Sequence, residues 1–114
     1  MKFPFWTIYI VFLLYFPFSQ VLAQDLAFPG AQGWAAITKG GRGGKIIKVT
    51  TLNKDGKGSL RSAIEMEEPR IIVFEAGGII DMEGSSITIK NPYITIMGQT
   101  APDPGITIIK GGDP

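Results

Sequence analysis

In the second half of the chain, apolar and polar residues alternate with a period of two. Ile87 and Ile89, Ile94 and Ile96, and Ile106 and Ile108 each flank a threonine that must point the opposite way. Such alternation buries one face of a strand and exposes the other. The pattern predicts five short strands after Arg70, over residues 71–75, 79–82, 86–90, 93–97 and 105–109. They are separated by Gly77-Gly78, Glu83-Gly84, Asn91-Pro92 and the Gly- and Pro-containing run 98–104, all of them turn chemistry. One earlier strand is predicted over residues 45–50, where Ile46, Ile47, Val49 and Thr50 are β-branched.

The spacing of these strands suggests how they assemble. Ile87 and Ile89 recur as Ile106 and Ile108, nineteen positions on, while Ile72 and Phe74 recur as Ile94 and Ile96, twenty-two positions on. A coil of about 20 residues is one solenoid rung. Stacked rungs set Ile on Ile in a continuous core, which predicts a parallel β-helix, all-β in class. An antiparallel β-sandwich built from hairpins is the alternative, although Asn-Gly and Asp-Gly pairs are absent from the strand junctions.

Before the first of these coils the period changes. Residues 53–58 form a turn cluster, and Ser59 is a good helix N-cap because its hydroxyl can accept from a first-turn N–H. Leu60, Ala63 and Ile64 fall on one face at helical spacing, and Pro69 stops the run, predicting a short helix over 60–67. Glu65, Glu67 and Glu68 near its end oppose the helix dipole, so packing must hold it. An open solenoid end exposes apolar core. The helix is therefore expected to lie across the N-terminal mouth, with Leu60 and Ile64 directed inward.

The first twenty-odd residues are of another kind. Lys2 is followed by a nearly continuous apolar run over 3–18, then by Ser19-Gln20-Val21-Leu22-Ala23-Gln24. A charged start, an apolar core and small residues at Val21 and Ala23 make the pattern of a secretory signal peptide, residues 1–23, cut before Gln24. A membrane anchor needs about 20 apolar residues; this run is shorter and carries Pro4 and Pro17 near its ends. Without Cys, lipid anchoring through a thiol is excluded. The expectation is a mature chain, 24–114, that is secreted or periplasmic and has no stable membrane anchoring after cleavage.

Charge narrows the partners. Of eleven basic residues one is Lys2, so the mature part carries ten positive and ten negative charges. Such balance offers no electrostatic footprint for nucleic acid or an anionic membrane. The absence of Cys and His excludes disulfides, thiol nucleophiles and thiolate or imidazole metal sites.

No candidate motif survives its plainer reading. The segment Gly40-Gly41-Arg42-Gly43-Gly44-Lys45 lacks the first Gly of a phosphate loop, where Lys39 stands, and has Ile46 in place of its Ser or Thr. It reads as a structural turn. Asp55, Asp81, Asp103 and Asp113 are scattered and resemble no calcium loop. Glu67-Glu68 reads as a solvated helix end. Arg42, Arg61 and Arg70 can each pair with a sugar acid, but Arg61 and Arg70 read as structural partners of nearby Glu or carbonyls. Phe28, Trp34 and Tyr93 can stack on a sugar, yet core or cap packing is the commoner use.

Taken together, several segments resemble the opening of a pectate lyase of polysaccharide lyase family one. They are Ala27-Phe28-Pro29-Gly30-Ala31-Gln32-Gly33-Trp34, the run 38–45, and Gly58-Ser59-Leu60-Arg61-Ser62-Ala63-Ile64. The run 70–81 resembles that family's first strands, and 87–107 resembles its first full coil and turn. Asp103-Pro104 stands where the family often has Gly-Asp, a small change in a turn. The resemblance implies a right-handed parallel β-helix, first coils only, with a short N-terminal capping helix. It implies an enzyme that cleaves pectate, or a related acidic polysaccharide, by β-elimination. Calcium on acidic side chains would acidify the C5 proton and an Arg would act as base. Those residues lie on the family's later coils, so no catalytic, cofactor-binding or metal role passes to any residue here. The expectation is the truncated N-terminal part of a secreted lyase, inactive by itself and binding no calcium, although calcium is expected for the full-length enzyme. A non-catalytic β-helix that binds polysaccharide or acts as an adhesin is the alternative.

Overall fold

A computed structural model describes Lys2 and residues 25–112. The expected signal peptide and its cut after Ala23 otherwise lie outside the described residues. The elements run β1 (Lys45–Val49), α1 (Leu60–Glu65), β2 (Arg70–Phe74), β3 (Gly78–Asp81), β4 (Ile94–Met97), a single 3-10 turn (Gly98–Thr100) and β5 (Ile106–Ile109).

Among the described residues every strand pairing is parallel. One sheet has the order β1-β2-β4 and the other pairs β3 with β5. Hairpins cannot make such neighbours, because parallel strands need a crossover between them. The antiparallel sandwich is therefore set aside. The chain runs from the first sheet to the second and back, adding one strand to each.

The register corrects the expected spacing. Ile72 faces Ile96, twenty-four positions on, not Ile94, and Ile47 faces Ile72, twenty-five positions on. In the second sheet Ile80 faces Ile108, twenty-eight positions on. The rung is thus longer than the sequence repeat suggested. The expected strand over 86–90 does not form either. Its neighbour is α1 and not a strand: Arg61 Nη1 donates to the Ser86 carbonyl and Nη2 to the Ser85 hydroxyl, both at 2.9 Å.

The core lies between the sheets and the helix. Val49, Ile72, Phe74, Ile80 and Met82 from the strands and their ends meet Leu60, Ala63 and Ile64 from α1 in one cluster. The helix thus buries the face expected of it. Ser59 caps its start: the hydroxyl accepts from the Ser62 N–H at 3.2 Å and donates to the Gly56 carbonyl at 2.7 Å. At its end α1 is two residues shorter than expected, and Met66 is already extended (φ −61, ψ 145). The carbonyls left there are taken by side chains from beyond the helix. Arg70 holds those of Ala63 and Ile64, and Asn91 Nδ2 those of Glu65 and Met66.

Candidate functional site

Two polar clefts flank the stack. One, of about 400 Å³, is lined by Arg61, Glu65, Glu67, Thr88, Lys90 and Asn91. Its arginine is already occupied: besides Ser85 and Ser86, Nε donates to the Lys54 carbonyl at 3.3 Å. Glu65 sits 3.9 Å from Arg61 across one helical turn. This Arg61 ties the helix to the coil behind it, and the cleft offers no free guanidinium to a sugar acid.

The second cleft, of about 330 Å³, gathers Asp55, Asp81 and Glu83 around Leu52, Asn53, Lys54 and Ile79. Two of these three carboxylates answer ammonium groups. Lys54 lies 2.5 Å from Glu83 and Lys110 lies 2.7 Å from Asp81. The Lys110 hydrogen bond, helped by the Glu83 N–H at 2.9 Å, holds the Asp81 carboxyl below its ordinary value. Glu83 raises Lys54, and Asp81 raises Lys110, each through its hydrogen bond first. A hard cation needs several convergent oxygens without such competition. Among the described residues no three of Asp, Glu, His and Cys converge as metal ligands, so these residues do not fit calcium.

The remaining candidates are structural or exposed. Arg70 is completely buried, and among the described residues all its donors go to backbone carbonyls: Ala63 at 2.9 Å, Ile64, Glu68 at 3.1 Å and Pro92 at 3.4 Å. The carbonyl half of the expected pairing holds. Arg42 latches the start of the described chain through the Leu26 carbonyl at 2.6 Å. Glu68 pairs with Lys45 at 2.5 Å. The glycine-rich run packs backbone to backbone: a Cβ on Gly41 would overlap the Arg70 carbonyl, and one on Gly44 the Pro69 carbonyl. A turn wedged against strands, not a phosphate cradle, is what these glycines provide.

The aromatic residues are a correction. Phe28, Trp34 and Tyr93 were expected to pack, yet all three are exposed, Trp34 completely. Sequence reasoning also missed Asn91 as a helix end-cap, and Thr100, whose hydroxyl accepts from the Phe74 N–H at 2.8 Å. The Asn91 partners and the Phe74 N–H each lie more than twenty positions away, and the one local contact, from the Thr100 hydroxyl to the Met97 carbonyl at 2.7 Å, does not announce them.

No helix among the described residues is long and apolar enough to cross a membrane. No family model matches the chain. Curated proteins do match it. "Probable pectate lyase C" of Emericella nidulans is 46% identical over 96 residues, covering 84% of this chain and 22% of that protein. The proteins of the same name from Aspergillus fumigatus and Aspergillus terreus are 45% identical over 83% of the chain and 47% identical over 76% of it. The chain spans about a fifth of the length of these relatives (22%, 22% and 20%). Over most of its length, then, this chain is a relative of the pectate lyases.

Proposed function

We propose that this chain is the N-terminal part of a secreted pectate lyase and that it builds the capped first coils of a right-handed parallel β-helix. Identity of about 45% to proteins named pectate lyase carries the reading. The stack of parallel strands closed by α1 supports it. The substrate is polygalacturonate or a related acidic polysaccharide, cleaved by calcium-assisted β-elimination outside the cytoplasm. Residues 1–23 are the export signal, and the chain keeps no membrane anchor once they are removed.

These residues supply scaffold, not chemistry. Their arginines are spent on carbonyls, and Asp81 and Glu83 of the clustered carboxylates on lysines. We therefore place the calcium ligands and the base on other coils of the protein and assign no step to residues 25–112. Incubating the full-length protein with pectate and calcium should release unsaturated uronides, read by their ultraviolet absorbance. The 114-residue chain alone should release none. A full-length protein that binds pectate without cleaving it would favour the non-catalytic binding β-helix.

A further inference from the structure

At Tyr93 the backbone and the side chain make opposing demands. The residue sits at φ +59, in the left-handed region where a bulky side chain is strained. Glu83 and Lys110 share that conformation, and both use their exposed side chains in ion pairs. Tyr93 has no such partner and remains 53% exposed, so core burial does not offset its strain. Gly or Asn would serve the corner at lower cost. Strain of this kind, kept without a packing return, points to use of the side chain.

The corner itself is rigid. The Tyr93 carbonyl accepts from the Arg70 N–H at 3.0 Å, and the neighbouring Pro92 carbonyl accepts from the buried Arg70 guanidinium. Lys39 reaches the same place from the glycine-rich turn, its Nζ 5.4 Å from the Tyr93 ring centroid. That approach is also fixed. The Gly41 N–H donates to Thr95 Oγ1 at 2.8 Å, and neither Gly40 nor Gly41 has room for a Cβ against Thr95 and Arg70. Lys39 is exposed and, unlike Lys45, Lys48, Lys54 and Lys110, makes no ion pair among the described residues.

We propose that Tyr93 and Lys39 form an accessory subsite for an acidic sugar, the ring taking the apolar face of the pyranose and the ammonium its carboxylate. This rests on the pectate lyase reading above. An exposed tyrosine offers a flat apolar face with a polar rim. A cation–π contact at an exposed site is weak, and a charge-assisted hydrogen bond to a carboxylate is stronger. The ammonium therefore exchanges the ring for the sugar acid readily, and a neutral sugar gains only the stacking half.

The test titrates the full-length protein with a galacturonate trimer and, separately, a galactose trimer, following the Tyr93 ring signals by NMR. Tyr93→Asn removes the ring and suits the left-handed corner, so its thermal midpoint should hold or rise while affinity for the acidic trimer falls about tenfold. Lys39→Gln should weaken the acidic trimer about fivefold and leave the neutral one unchanged. The subsite is overturned if Tyr93→Asn lowers the thermal midpoint and leaves affinity intact, or if Lys39→Gln affects both trimers alike. If the protein cleaves pectate while both variants bind as the parent does, only the subsite fails. If the parent neither binds the trimer nor cleaves pectate, the functional reading fails with it.

Discussion

Arg70 Nε donates to the Ala63 carbonyl at 2.9 Å, joining the start of β2 to the last turn of α1. A cation at a helix C-terminus also answers the dipole, which the acidic residues there oppose. Arg70→Met should cost about 3 kcal/mol, because buried carbonyls lose a charged donor. Arg70→Lys should recover only part of this, since an ammonium cannot fork across Ala63, Ile64 and Glu68. Urea unfolding of the full-length variants measures both, with amide exchange in 63–66 rising first.

Ser59 is buried, and its hydroxyl makes one bond as acceptor and one as donor. Ser59→Ala should destabilise by about 1–2 kcal/mol. Ser59→Asp keeps an acceptor but faces the Gly56 carbonyl with a buried charge, and should be worse than Ala. The order of the two thermal midpoints checks the argument.

The glycine-rich turn gives a sharper contrast. Gly41→Ala forces a methyl into the Arg70 backbone, which cannot yield without breaking the sheet, and should cost about 3 kcal/mol. Gly43 has open space around it but lies at φ +78, so Gly43→Ala should cost only about 1 kcal/mol of backbone strain. Equal losses would mean that close packing does not explain this run.

What the sequence revealed and what it hid have one physical cause. Alternation gives the inward face of a strand, and the repeat extends it to Ile72 and Phe74, both in the core, yet of the alternating isoleucines Ile89, Ile96 and Ile108 are exposed. It does not fix the rung, because a slip of two residues leaves the same face inward. Hence the sequence repeat sets Ile94 against Ile72, where Ile96 belongs. At Ile87 and Ile89 the alternation is present, but a strand also needs a strand beside it, and α1 lies there instead. Ser59 was legible because a cap acts over three residues. The reach of Asn91 to α1 and of Thr100 to Phe74 was not, since those partners are distant in the chain. No candidate-site role was assigned from sequence, and the Lys39–Tyr93 pair arises only when the turn folds onto β4.

Asp81 and Lys110 make a prediction in pH. The Asp81 carboxyl is held below its ordinary value of 3.8, first by the Lys110 hydrogen bond. Its contribution to stability is therefore present above 3.8 and lost as pH falls through the depressed value. Lys110 is raised above its ordinary 10.5 by the same bond, so its share is full below 10.5 and lost as pH rises through the raised value. Lys110→Met should move the Asp81 midpoint up toward 3.8, read from its carboxyl carbon by NMR. Salt at about 1 M should shrink the difference, because the pair is exposed. An unmoved midpoint would refute the pairing.

Ile72 and Ile96 face each other on adjacent strands, as do Ile80 and Ile108. Parallel partners in register point the same way, so all four are core positions. Yet Ile72 and Ile80 are buried while Ile96 and Ile108 are 42% and 50% exposed. Within the described residues nothing stacks on β4 or β5 from the far side. Unpaired backbone and an apolar face together are what native edges avoid, and stacked repeats need about three units before burial outweighs chain entropy, a number the second sheet, with two strands, does not reach. Residues 24–114 made alone should therefore be poorly folded or self-associate through this layer. Ile96→Lys with Ile108→Lys should shift the light-scattering mass of that segment toward monomer, and adding the sequence of further coils should do so without any substitution. A cooperative thermal transition with a monomeric mass for the unaltered segment would show that this layer needs no cover.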